Sequence, residues 1–305
     1  MRILFTAAAF TLAIAFVLSA MPTGNAAVYQ QGIVYVIYEE EGDAAPIDNT
    51  DLNINGVPDV VEDVATQVNA ARELFKDVFK FPDPLESERF KDVTSIEIDI
   101  ESKQIMGRWN GNSSQRVRKQ SKHDPNERAL HFRVANTVNP RKNSTPAHEY
   151  FHLLQYGVTY FRNNWFKEGT ARWAQDSVRK IKYPDGKNVP SMLEDKMFEE
   201  KLFQGSYDMA EQFWYPLVVN MNDKAKIPDS LVTKYRYVNG SPVFQDDTIY
   251  GPNVIREVIL VMKSKEPLAA AEYGTLKQWR KKGQQDERNN KFILASVREV
   301  YYGKL

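Results

Sequence analysis

Two histidines four residues apart, His148 and His152, frame the run His148-Glu149-Tyr150-Phe151-His152. On a helix, residues at that spacing lie one above the other on a single face. Both imidazoles can then reach one metal ion, with Glu149 projecting beside them. A zinc-binding helix that carries its own general base has this spacing. The chain has no cysteine, which excludes a disulfide framework, thiolate catalysis and a zinc site built on sulfur. Its other two histidines are His123 and His131. His131 falls on an expected strand and reads as structural.

Catalytic zinc takes three protein ligands and keeps one open position. Glu168, sixteen residues after His152 in Trp165-Phe166-Lys167-Glu168-Gly169-Thr170-Ala171, is the natural third donor. It lies one turn into a second helix, and two helices joined by a short turn can bring it opposite the histidines. The chemistry is then hydrolytic. Water acidified by zinc, to a pKa of about 7, gives its proton to Glu149, which passes it to the leaving amine. A protein donor helps stabilise the oxyanion. Tyr207 suits that role, ahead of Tyr215, because it precedes a helix expected to cover the cleft.

The elements that position these residues begin with strand Ile33 to Tyr38 and a helix from Val60 to Phe79, with Val60, Val64, Val68, Ala71 and Phe75 on one side. Pro82 and Pro84 end that helix. Further strands are expected at Val93 to Ile100 and Ala129 to Val138, the latter as the sheet edge beside the cleft, where an extended peptide can pair. The polar stretch Gln104 to Glu127, basic from Arg116 to Lys122, reads as a mobile loop with a solvated surface. Thr145 caps the metal helix, Pro146 opens it, and Gly157 stops it. A second helix spans about Asn164 to Arg179. Beyond Pro190, helices are expected around 191–203, 207–221, 251–264, 267–281 and 290–302, with Pro216 kinking or splitting the second of these. Strands first and helices later imply an α+β fold.

The metal-helix segment T-P-A-H-E-Y-F-H-L-L-Q-Y, followed by W-F-K-E-G-T-A-R-W, resembles the gluzincin metallopeptidases, the His-His-Glu group that includes thermolysin-like and aminopeptidase families. More closely, it is similar to secreted bacterial metalloprotease-like proteins that carry A-H-E-x-F-H-x-x-Q, then W-x-x-E-G-x-A-x-W, with D-x-N-x-N-G-x-P-D near the N-terminus. The likeness covers Val28 to about Asp176 well and the helical remainder weakly. It implies a zincin-like fold with His148, His152 and Glu168 as zinc ligands and Glu149 as base. Thermolysin-like enzymes have an aspartate four residues after the ligand glutamate, orienting a zinc histidine. Here that position is Arg172, and Asp176 is the acid within reach to replace it.

Asp51 to Glu62 (DLNINGVPDVVE) also matches a twelve-residue calcium loop. Asp51, Asn53, Asn55, Asp59 and Glu62 stand at the oxygen-donor positions, Val57 offers its backbone oxygen, and Gly56 falls at the sharp turn. The helix that precedes such a loop in an EF-hand is missing. A structural calcium ion suits an exported chain without disulfides.

Lys+Arg and Asp+Glu both number 40, so no global field favours nucleic acid or an anionic membrane. Arg2, the apolar run Ile3 to Leu18 and the small-residue site Gly24-Asn25-Ala26 read as a cleaved export signal, with Ala27 the first mature residue. That implies a secreted or periplasmic address and no stable membrane insertion. The expected organisation is residues 1–26 as signal, 27–180 as a zincin-like part and 181–305 as a helical part of the same catalytic unit. Together these point to a zinc-dependent peptidase acting on peptide or protein substrates. Since no anchor for a free amine is evident, it reads as an endopeptidase. Two other readings use the same residues: a zinc-binding homologue without turnover, against which the intact Glu149 speaks, and a calcium-binding surface or adhesion module in which the histidine pair is incidental.

Overall fold

A computed structural model of the chain describes residues 26–186, 188–273 and 279–303. The expected signal, residues 1–26, lies outside them except for Ala26, the first residue of the sheet. The five-stranded sheet has the order β1-β2-β3-β5-β4. Strands β1 (Ala26–Gln31) and β2 (Val34–Glu39) form an antiparallel hairpin whose two-residue turn uses Gly32 at φ +64°. Strands β2, β3 (Ser95–Glu101) and β5 (Ala129–Ala135) run parallel. Strand β4 (Gly111–Ser113) returns antiparallel to β5 and forms the far edge.

One sheet face is apolar by alternation. Val36, Ile98 and Phe132 share a register row on it, all fully buried. Against that face lie α1 (Asp59–Glu73), continued by a π-turn to Val78, and the helix that carries the histidine pair. The anticipated apolar side of α1 is buried from Val60 to Phe75. So are Asp63 and Gln67, because the helix is covered all round.

The opposite face carries Glu97, Asp99, His131 and Arg133, and here one expectation is corrected. Residues 104–127 are not a bare loop. They include a helical turn, α2 (Lys103–Met106), strand β4, and a return segment laid over the polar face. Arg118 pairs with Glu97 and Asp99, and Lys122 reaches Asp99 at 2.8 Å. His123 stacks on Tyr35 with ring centroids 3.6 Å apart. Buried carboxylates on β3 must be compensated, so they draw inward some of the basic run expected to be solvated. The same rearrangement makes β4, rather than Ala129–Ala135, the edge beside the cleft.

The remaining chain is mainly helical. It comprises α3 (Thr145–Val158), α4 (Asn164–Gln175), α5 (Val189–Glu194), α6 (Lys196–Gln204), α7 (Tyr215–Asn220), α8 (Asp229–Lys234), α9 (Pro252–Tyr273), α10 (Lys281–Gln284) and α11 (Asn290–Gly303). A small hairpin, β6 (Lys224–Lys226) with β7 (Thr248–Tyr250), has no counterpart in the expected pattern. The break expected between helices 251–264 and 267–281 is absent, since α9 runs on through Pro267 to Tyr273. A π-turn (Ala210–Trp214) runs directly into α7, so the hydrogen-bond pattern changes immediately before Pro216, which removes a donor there. Gly157 does not stop α3. It lies inside the helix, where a Cβ would come 3.1 Å from Pro84 Cα. Among the described residues no helix is long and apolar enough to cross a membrane.

Candidate metal centre

Helices α3 and α4 pack together over a five-residue connection. Asn143 starts α3 by accepting from the N–H and hydroxyl of Thr145, at 2.8 and 2.6 Å. An aromatic knot sets the register of the two helices. Phe151, between the two histidines, meets Phe75 of the α1 extension at 5.2 Å and Trp173 of α4 at 5.8 Å. Such pairs contribute about 0.5–1.5 kcal/mol each beyond their buried area. Gly169 allows Trp214 to close over α4, because a Cβ there would meet the indole at 2.7 Å.

This packing brings the three expected donors together. One nitrogen each from His148 and His152 and one oxygen of Glu168 all lie within 4.8 Å of one another. Glu168 Oε2 stands 3.3 Å from Nε2 of both histidines. Donors about 2.1 Å from a shared tetrahedral centre stand about 3.4 Å apart, so the spacing and the two-imidazole, one-carboxylate chemistry fit zinc. The other oxygen, Oε1, takes Lys167 Nζ at 2.5 Å. Burial alone would raise the Glu168 carboxyl. The His152 and His148 contacts and the Lys167 charge reverse this and hold it far below the carboxylate range. Burial lowers His152 against the opposing pull of Glu168, which favours the neutral ring that a metal needs.

Glu149 is buried, and its carboxylate meets the edge strand. Ser113 Oγ lies 2.6 Å from Glu149 Oε2 and 2.7 Å from its backbone oxygen. Gly111 passes so close that a Cβ would collide with Glu149 Oε1. Neither residue was foreseen, since Gly111-Asn112-Ser113 has no β-branched or aromatic strand signal. Gln155 is the second omission. Its Oε1 lies 2.8 Å from His152 Nδ1, and its Nε2 donates to Thr170 Oγ1 at 2.7 Å and Lys167 O at 3.0 Å. With Gln155 donating onward through Nε2, Oε1 is the acceptor and His152 Nδ1 the donor. Its place three residues after His152, on one helix face, was a readable signal. Asp176 does not take this role: it holds the Tyr215 hydroxyl. His148 Nδ1 is buried without a partner.

Tyr207 and Tyr215 separate clearly. The Tyr215 hydroxyl is committed to Asp176. Tyr207, 39% exposed, lies 5.8 Å from the His148 ring and borders the cleft. Its hydroxyl accepts from Gln175 Nε2 at 2.8 Å, which leaves its own proton free. Arg172 lies over its ring at 4.3 Å and pairs with Glu211. The residue standing where an aspartate was expected therefore braces the tyrosine. The cleft itself has a volume of about 1130 Å³.

In the 51–62 loop, Gly56 takes φ +84° and Ile54 φ +57°. Asp51 accepts from the N–H groups of Asn55 and Gly56 at 3.2 and 2.8 Å. Glu62 is buried and accepts from the amides of Asn53 and Asn55, each at 2.9 Å. Burial raises its carboxyl despite these bonds. Asn55 Oδ1 accepts from Val57 N at 2.9 Å. Asp59 is engaged elsewhere, with Arg141 at 2.8 Å and Leu52 N at 2.9 Å. Ligation through Asn53 and Asn55 requires both amides to turn over and present oxygen in place of nitrogen.

No known protein family, curated protein or solved structure matches this chain.

Proposed function

We propose that this chain is an exported zinc-dependent peptidase of zincin-like fold that hydrolyses internal peptide bonds. The observation that carries the reading is the approach of Glu168 Oε2 to 3.3 Å from both His148 Nε2 and His152 Nε2, with the Glu149 carboxylate beside an open sheet edge. Zinc, when bound, supplies a Lewis acid that acidifies water and polarises a peptide carbonyl. Glu149, oriented by Ser113, takes the proton of the attacking water and returns it to the leaving amine. Strand β4 offers main-chain groups to an extended substrate. The Tyr207 hydroxyl, with its proton uncommitted, donates to the oxyanion of the tetrahedral addition product. Calcium in the 51–62 loop is a structural component of the same proposal.

The deciding experiment is metal analysis and a peptide digest on wild type and Glu149→Gln. The reading requires one zinc per chain in both, chelator-sensitive turnover in wild type, and a loss of about 10²–10⁴-fold in the variant. Zinc without turnover in wild type would instead indicate an inactive binding homologue. Calcium without zinc would indicate a surface or adhesion module.

A further inference from the structure

One wall of the cleft holds a positive charge that no carboxylate answers. Arg162 lies in the connection between α3 and α4, is only 6% exposed, and lines the cleft. Its Nη2 donates to the Tyr156 hydroxyl at 2.8 Å, and the guanidinium lies 4.1 Å from the centre of that ring. Its Nε has no partner. Among the described residues no carboxylate lies within ion-pair distance of it. Its neighbours do not make up the deficit. Lys167 already shares Glu168 with the histidines. Arg89 donates to the carbonyls of Tyr156 and Thr159 and to Gln115, and the charge of Glu266 acts on it. Glu266, an acid behind this wall, accepts from Thr159 Oγ1 at 2.7 Å and Tyr160 N at 2.5 Å.

A guanidinium stays charged, and burying it unpaired is costly unless an anion completes it. Its position makes that anion a substrate group. The guanidinium and the His152 ring both lie against the Tyr156 ring, at 4.1 and 5.8 Å from its centre. At about 3.3–3.6 Å per extended residue, a group held there sits within about three residues of the reacting carbonyl. We infer that Arg162 anchors a substrate carboxylate, so that the peptides this cleft takes carry an acidic side chain or their free C-terminus close to the bond to be cut. The planar fork of arginine matches a carboxylate through two parallel hydrogen bonds. A buried polar anchor also discriminates strongly against ligands that lack its partner. This inference rests on the peptidase reading of the same site, and its test separates the two.

Binding is measured on the full Glu149→Gln chain with alanine heptapeptides. A single Glu or Gln is moved through each position, and a further pair differs only in a free or amidated C-terminus. Each is titrated with zinc loaded and after chelation. At least one carboxylate peptide should bind tenfold or more tighter than its neutral partner. The preference should survive zinc removal, vanish in Arg162→Met and return in some measure in Arg162→Lys. The pair that discriminates names the source of the carboxylate. Equal binding within every pair overturns the inference, as does a preference that disappears with the metal, since the carboxylate would then be ligating zinc. Should Arg162→Met fail to fold, the peptide pairs on the unsubstituted arginine still decide. Wild type is assayed for cleavage of the same peptides. Cleavage without carboxylate preference defeats this inference alone, and preference without cleavage defeats the peptidase reading alone.

Discussion

At the scale of single residues, the two candidate zinc histidines are not equivalent. His152 donates through Nδ1 to Gln155, which is itself tied to Thr170 and Lys167 on the next helix. His148 has no such support. Gln155 therefore sets both the tautomer and the ring plane of one ligand, and groups in that position typically account for 10–100-fold in metal affinity. Gln155→Leu should lower zinc affinity by about that factor while the far-ultraviolet circular dichroism stays native. Chelator competition measures it, and unchanged affinity would remove Gln155 from the site. The histidine pair and Glu149 were legible from spacing alone, and Gln155 carried the same signal unread, because a helix turns local sequence into geometry. Ser113 and Arg162 were not legible, because each acts across a long sequence gap or through what it lacks.

At the scale of elements, β4 is the decisive short strand. Its closeness to α3 depends on Gly111, where a side chain would displace Glu149 and press on Thr145 Cγ2 at 2.6 Å. Gly111→Ala should leave zinc stoichiometry intact and reduce kcat by about 10²-fold, the usual effect of a displacement near 1 Å at a reacting group. Normal turnover would show that β4 does not constrain the base. On the neighbouring β5, burial and then the Arg118 charge hold His131 down at about 4, from 6.5. Between those values the unfolded chain binds the extra proton and the folded chain does not. Stability contributed here is whole above pH 6.5 and falls as the pH drops toward 4. His131→Gln should flatten that decline, seen as a smaller change in urea midpoint between pH 7 and 4.5. Glu62 and Asp63, raised by burial, act in the opposite sense, so the difference between variant and wild type carries the result.

At the scale of the whole molecule, a chain without disulfides is held by one hydrophobic cluster running from Val34 to Tyr301. The calcium proposal concerns this scale. A ligand at 100 times its Kd adds about 2.7 kcal/mol to the folded state, worth several degrees in a chain of this size. Millimolar calcium should raise Tm relative to a calcium-free buffer, and Glu62→Gln should abolish the difference. A Tm indifferent to calcium in wild type would leave the 51–62 loop as a hydrogen-bonded turn around a buried glutamate.

Alone, the sequence determined what repeats locally: the i, i+4 histidine pair with its glutamate, the apolar side of α1, the strands at β2, β3 and β5, and the class of a mixed α+β chain. These follow from periodicity, which needs only neighbours in the chain. Tertiary structure alone decided which strand forms the cleft edge, what holds Tyr215 and braces Tyr207, and where a cation is left without its anion. Those outcomes depend on compensating buried charge and filling space between segments far apart in sequence, and no spacing rule encodes that.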